Sequence, residues 1–362
     1  MIRAAIAVDA RMIQSSGIGT YLQGLLKGLS PRVSPYFSLH LLGNPAQMPQ
    51  GPWTVSPANA SIYSLREQWE IPRAFRRSGA MILHSPHYNL PVVMASKTVV
   101  TVHDLIHLKF PQYWPSMAAR AYARFFFYHV VPKAQAILTV SENTKRDLIN
   151  MLSIPENRIT VTYNAVDHER FARANPLCEE AFKQLGLPSE YFLYIGNMKE
   201  FKNVERLVQA YRELQNRRKD CPVLVLVGRN FIPGFDHIIS KTLGVRWLGK
   251  ISRDLLPSLY QNALAFLFPS LYEGFGLPPL EAMASGTPVM CSNSASLPEV
   301  VGNAALLINP ESTDDMISAM ERLIEDSALR KELSAKGLKQ AAQFSWERMA
   351  NQTLQIYQQC LD

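Results

Sequence analysis

Two α/β domains, each a Rossmann-like parallel sheet covered by helices on both faces, are what this sequence predicts. Three observations carry that reading. Short apolar runs alternate with helical patterns along the whole chain. The 362 residues exceed what one hydrophobic core usually serves. The alternation also breaks near residues 165–176, which divides it into two halves. Strands that alternate with helices pair in parallel and are buried on both faces, which is why they read as continuous apolar runs.

In the first half strands are predicted at 2–8, 37–42, 81–84, 98–102 and 136–140. Helices fit 19–29, 65–76, 115–128 and 142–152. In the second half strands fit 192–195, 223–227, 245–248, 265–267 and 288–291. Helices lie between them at 204–217, 255–261, 280–284, 296–301 and 313–326. The tail beyond residue 345 is helical in pattern. The domains are placed at 1–170 and 171–345, with 346–362 as a terminal helix. Ligands of such sheets bind outside the carboxyl ends of strands, so the expected site is a cleft between the domains.

Composition narrows the function classes. With 47% apolar and 19% charged residues the chain reads as an ordinary globular enzyme. Four cysteines stand far apart with no C-x-x-C pair, which suits reduced thiols and a cytoplasmic protein. The opening residues read as a strand instead of a leader, and no apolar stretch approaches the ~20 residues of a spanning helix. The net charge of +7 is uneven. Residues 1–170 hold 17 Lys and Arg against 9 Asp and Glu, and the remainder holds 20 against 21. A basic first half suits a polyanionic or membrane-bound partner. No nucleic-acid recognition motif accompanies it. Arg73, Arg76 and Arg77 cluster, and residues 120–128 mix arginines with aromatics on one expected helix. That helix reads either as an interfacial segment or as one packing Phe125–Phe127 inward while its arginines reach out.

The most informative stretch is Glu273-Gly-Phe-Gly-Leu-Pro-Pro-Leu-Glu281. An apolar strand ending at Pro269 precedes it, and a helix with Pro278 and Pro279 near its first turn follows. Two carboxylates thus flank a helix N-terminus whose N–H groups suit a phosphate. Alone, the pair would read as two exposed glutamates on an ordinary connection. The glycines, the prolines and the following Gly286-Thr-Pro-Val289 turn reverse that reading. Gly17-Ile-Gly19 opens the first helix, but the third glycine of a dinucleotide fingerprint is replaced by Leu22, which counts against a dehydrogenase. His84 and His103 each end a strand-like run, and Ser141 stands where an N-cap would.

These features resemble the retaining glycosyltransferases of family four, which have the GT-B fold, and the resemblance covers nearly the whole chain. Glu273 to Glu281 is similar to the family's Glu-x7-Glu motif, and Thr98-Val-Val-Thr-Val-His-Asp-Leu105 to its segment entering the cleft. Residues 194–203 look like its diphosphate loop, with Lys202 on the conserved-type lysine and Asn197 and Phe201 where many relatives carry arginine. The resemblance implies His103, Lys202 and Glu273 as catalytic residues. It implies donor contacts from Gly17, Gly19, Gly196, Asn197, Lys199, Gly249, Lys250, Ile251, Phe275, Gly276, Leu277 and Glu281. Arg229 is expected to border the nucleotide, and His84 to be a weaker contact for acceptor or sugar. The terminal helix is expected to cross back to the first domain. Bacterial mannosyltransferases of surface polysaccharide and lipopolysaccharide synthesis fit best, with GDP-mannose the favoured donor and UDP-sugars next. The implied acceptor is a saccharide or a lipid-diphosphate-linked glycan at the inner membrane surface, so peripheral membrane contact is expected. No D-x-D pair and no ligand cluster suggest a metal, so no metal or other cofactor is expected. An epimerase or phosphorylase of the same fold, and a non-catalytic binding module, are the alternatives.

Overall fold

The computed structural model describes residues 4–34, 37–113, 116–172 and 179–362. They fall into two units, Met1–Ala165 with Ser345–Asp362, and Val166–Phe344. Parts of three expected features lie outside the described residues: the first residues of strand 2–8, residue 115 of helix 115–128, and 173–176 of the expected break. Cys178 also lies outside them.

The first unit is a seven-stranded sheet in the order β3-β2-β1-β4-β5-β6-β7. Its strands are β1 Ala4–Asp9, β2 Phe37–Gly43, β3 Trp53–Pro57, β4 Ile82–Ser85, β5 Thr98–Val102, β6 Ala136–Thr139 and β7 Ile159–Val161. Every pairing is parallel. The second unit repeats the plan in six strands, β10-β9-β8-β11-β12-β13. They are β8 Tyr191–Ile195, β9 Val223–Val227, β10 Val245–Trp247, β11 Ala265–Phe268, β12 Val289–Ser292 and β13 Ala305–Ile308, again all parallel. Central strands such as β5 and β11 are buried at every residue because helices cover both faces. In each sheet the strand order reverses once, between β1 and β4 and between β8 and β11. Loops that leave those strand ends diverge and open a crevice.

The terminal helix Trp346–Leu361 belongs to the first unit and lies against the helix Gly17–Leu29. Two glycines make the close approach possible. A Cβ on Gly24 would stand 2.3 Å from the Trp346 ring, and one on Gly28 2.5 Å from the Trp346 carbonyl oxygen.

Of the aromatics expected at 115–128, part pack into the core as the packing reading holds, and Phe125 does not. A regular helix, Met117–Phe125, gives way to a wider turn at Phe126–Val130. Phe126 and Phe127 enter the core, while Phe125 and Tyr128 remain exposed. Consecutive helical residues point about 100° apart, so three phenylalanines in a row divide between core and surface. Ser141 is an N-cap, its hydroxyl accepting the Thr144 N–H at 3.1 Å.

Candidate functional site

In the second unit the residues of interest gather around the β8/β11 switch point. After β8 the chain passes Gly196 and Asn197, makes a short turn at Glu200–Lys202 and enters the helix Val204–Arg217. Asn203, left-handed at φ 59°, holds that turn by donating its amide to the carbonyls of Pro269 at 3.1 Å and Pro310 at 2.6 Å. Asparagine tolerates this conformation better than most residues. The Leu271 N–H also donates to the Phe201 carbonyl at 2.9 Å. The loop after β8 is thereby tied to the segment after β11, and Lys202 Nζ lies 2.5 Å from Glu273 Oε1. Both side chains are mostly buried, and the Phe201 and Phe268 rings lie 5.3 and 5.5 Å from the ammonium.

The turn that carries Glu273 is fixed from behind. Ser296 Oγ stands 2.9 Å from the carbonyl oxygens of both Glu273 and Phe275. Gly276 then takes φ 107°, and a Cβ there would meet Leu297 Cδ2 at 2.6 Å, so both conformation and space require glycine. The helix Leu277–Ala284 begins at that glycine, with its prolines in the first turn. Phe275 is buried and Leu277 half-buried. Farther along the helix Glu281 Oε2 accepts the Tyr260 hydroxyl at 3.0 Å. Burial pushes the Glu281 carboxyl up to about 7, against the opposing pull of Tyr260, Arg253 and Arg170. The two glutamates of the motif thus stand in different surroundings, one on a lysine and one on a tyrosine.

The loops after β8, β9 and β10 are laced together. Gly196 N–H donates to the Val227 carbonyl, and Gly228 N–H to that of Gly249 at 2.8 Å. Gly228 takes φ 132°, and a Cβ there would sit 2.0 Å from the Gly196 oxygen, so the approach of these loops needs glycine. Asn197 accepts the Arg229 N–H at 3.3 Å. Lys199 is exposed, with its ammonium 5.8 Å from both the Phe201 and Phe231 rings. Lys250 is exposed and Ile251 half-buried.

In the first unit Gly17 is exposed at the start of its helix, and Gly19 packs on the Ile13 carbonyl. His103 follows β5. Its Nε2 lies 2.9 Å from the Pro86 carbonyl, which can only accept, so Nε2 carries the proton and Nδ1 the lone pair. The Tyr21 ring meets the imidazole edge-on at 4.9 Å. Burial lowers the His103 pKa although Asp104 and the Pro86 carbonyl oppose the shift, so the ring is neutral at pH 7.

His84 does not meet its expectation as a sugar or acceptor contact. The side chain is wholly buried, with Nδ1 2.5 Å from the Tyr357 hydroxyl and Nε2 2.8 Å from Thr101 Oγ1. Both ring nitrogens are therefore engaged in pinning the terminal helix to β4 and β5. Sequence reasoning also passed over a buried polar cluster at the β1/β4 switch point. Arg11 forks onto Asp9 at 2.6 and 2.9 Å and reaches Glu67 at 3.1 Å. Asn89 and Tyr122 donate to the same Glu67 at 2.9 and 3.1 Å. Burial raises the Glu67 pKa against these partners. The available signal was Asp9-Ala-Arg11, two opposite charges at the end of an otherwise apolar strand.

Among the described residues no cluster of three or more His, Cys, Asp or Glu could hold a metal, and no helix is long and apolar enough to cross a membrane.

Comparison with known proteins adds to this geometry. Residues 16–170 match the profile described as Glycosyltransferase Family 4, and residues 179–340 that of Glycosyl transferases group 1. The O-antigen chain mannosyltransferase B of Escherichia coli is 34% identical over 305 residues, covering 82% of this chain and 78% of that one. The serotype-specific mannosyltransferase WbdA of Escherichia coli is 32% identical over 267 residues, covering 70% of this chain but only 32% of its own length. This chain thus spans about a third of WbdA. Among solved structures, sucrose-phosphate synthase from Thermosynechococcus elongatus superposes with a TM-score of 0.81 at 20% identity, over 99% of both chains. That likeness concerns the fold.

Proposed function

The chain belongs to glycosyltransferase family 4, with its GT-B architecture, and from that premise we propose that it is a retaining, metal-independent mannosyltransferase of bacterial surface polysaccharide synthesis. GDP-mannose is the proposed donor, and a lipid-linked or saccharide chain the acceptor. The observation that carries the reading is the contact between Lys202 and Glu273 at the β8/β11 switch point. A lysine there supplies charge where a leaving diphosphate develops it. A carboxylate beside it can take the hydroxyls of the transferred sugar. The pair holds both groups in place, and each exchanges its partner for a part of the donor.

In the proposed reaction an acceptor hydroxyl oxygen bonds to the anomeric carbon while the bond from that carbon to the β-phosphate oxygen breaks. The electron pair leaves with the diphosphate, facing Lys202. The acceptor proton passes to the departing phosphate oxygen, so no side chain acts as base. Glu281 accepts the ribose hydroxyls. Gly196, Asn197, Lys199 and Gly276 with its neighbours Phe275 and Leu277 line the phosphates, and Gly249, Lys250 and Ile251 the base. On the first unit Gly17 and Gly19 face the donor phosphates and the acceptor, and His103 meets the donor sugar as a neutral imidazole. The basic first unit makes contact with the cytoplasmic face of the membrane.

The test is release of nucleoside diphosphate from GDP-mannose and UDP-glucose, with and without a lipid-linked acceptor glycan, in magnesium and in EDTA. Acceptor-dependent GDP release that persists in EDTA supports the proposal. Release only from UDP-glucose moves the donor class, and loss in EDTA removes the metal-independent mechanism.

A further inference from the structure

The first unit exposes large apolar side chains in a confined stretch. On the helix Glu67–Ser78 and the turn before it, Leu65 is 79% exposed and Trp69 61%. Nearby, Val93 is 79% exposed and Val92 39%, at the start of the short turn Val92–Lys97. The two segments touch, since Gln68 Oε1 accepts the Val92 N–H at 2.9 Å. At 100° per residue Trp69, Arg73, Arg76 and Arg77 share one helix face, and these four and Leu65 just before the helix are all exposed. Between residues 71 and 103 the sequence holds Arg73, Arg76, Arg77 and Lys97 and no acidic residue.

The nearby carboxylates are turned to other work. Glu67 is buried on Arg11, Asn89 and Tyr122. Glu70 pairs with Arg66 at 2.5 Å and takes the N–H groups of Asn59 and Ala60. Among the described residues Arg73, Arg76 and Arg77 form no ion pair. A surface that joins protruding Leu, Trp and Val side chains from two neighbouring segments to arginines without carboxylate partners has chemistry suited to an anionic lipid surface. The apolar tips enter the headgroup boundary, and the arginines meet lipid phosphates.

We propose that Leu65, Trp69, Val92 and Val93, flanked by Arg73, Arg76, Arg77 and Lys97, form the surface through which this protein docks on an anionic bilayer. The proposal rests on the reading of a membrane-borne acceptor and names the face that meets the membrane. Each arginine near an anionic surface contributes about fivefold in affinity at low salt, and this falls as salt shortens the Debye length.

The experiment is flotation of the full chain with vesicles of phosphatidylcholine alone or with 30% phosphatidylglycerol, at low and high salt. Wild type is expected to float with the anionic vesicles at low salt. The Leu65→Ser/Trp69→Ser/Val93→Ser variant and the Arg73→Glu/Arg76→Glu/Arg77→Glu variant are each expected to lose tenfold or more. Leu243→Ser, 86% exposed on the second unit, is expected to leave flotation unchanged. Far-ultraviolet circular dichroism verifies that each variant is folded. Equal binding to neutral vesicles, binding to single-stranded RNA in place of vesicles, or loss only in Phe125→Ser/Tyr128→Ser would overturn the assignment. Turnover of donor with a water-soluble acceptor is read in parallel. Turnover without flotation defeats the docking proposal alone. Flotation by this face without turnover upholds it and defeats the sugar-transfer reading.

Discussion

Lys202 Nζ stands 2.5 Å from Glu273 Oε1, and this contact joins the loop after β8 to the turn after β11 across 71 residues of sequence. Removing either charge strands the other in a mostly buried place. Lys202→Ala is expected to lower the turnover number by roughly 10²–10³, because under the proposed mechanism a charge facing the leaving diphosphate is lost. Stability should fall by about 1–3 kcal/mol as Glu273 loses a charged partner. The Lys202→Ala/Glu273→Ala double variant should cost less than the two single effects combined. Steady-state kinetics and urea unfolding on the four proteins check this. Strict additivity in both would mean that the pair does not act as a unit.

Gly24 and Gly28 predict a second, purely steric result. Alanine at either position overpacks the contact with the terminal helix and should cost roughly 1–3 kcal/mol. The two clashes differ in kind. At Gly24 the obstacle is the Trp346 ring, and at Gly28 it is the Trp346 carbonyl oxygen and the Ala350 Cβ. Trp346→Leu should therefore recover part of the loss in Gly24→Ala and none of that in Gly28→Ala. Calorimetric melting temperatures of the single and double variants separate these cases.

The sequence revealed the alternating α/β plan and missed three strands: β3, β7 and β13. All three are sheet edges. An edge strand is short and partly solvated, so Trp53–Pro57 and Ile159–Val161 carry no sustained apolar run. Within the site, Lys202 and Glu273 were each visible through a local pattern. Their contact was not, since nothing local records a pairing between residues so far apart. His84 misled for the opposite reason. A histidine at a strand end looks the same in sequence whether it faces a ligand or, as here, the hydroxyl of Tyr357.

That buried imidazole has an acid-stability consequence. Burial, reinforced by nearby His103, lowers the His84 pKa to about 3 from an ordinary 6.5. The unfolded chain therefore binds the proton more readily than the folded one. The neutral ring's contribution is fully present above pH 6.5 and is lost as pH falls toward 3. His87 is held down in the same way and adds to the slope. Wild type should lose stability steadily below pH 6.5 in urea titrations, and His84→Gln should flatten part of that loss. Tyr357→Phe should cost about 1–3 kcal/mol at pH 7 by leaving the Nδ1 position without its partner. An unchanged acid slope in His84→Gln would assign the effect to other groups.

Glu281 shifts the other way, and under the proposed ribose contact its pH dependence bears on donor binding. Burial raises its carboxyl to about 7 from an ordinary 4.5. The folded state thus prefers the protonated form. That preference stabilises the fold fully below pH 4.5, and its contribution is lost as pH rises through 7. A bound ribose makes the opposite demand, because only the carboxylate offers both oxygens as acceptors. Binding of GDP measured by calorimetry should therefore tighten as pH rises from 5.5 to about 7 and then level off, with proton release on binding near pH 6.5. Glu281→Gln should bind about tenfold more weakly at pH 8, in line with a lost charged hydrogen bond of roughly 1.5 kcal/mol. Its affinity should not vary across that range, and above pH 7 its folded state should resist urea at least as well as wild type. A GDP affinity that is flat with pH in the wild type would mean that Glu281 does not meet the ribose.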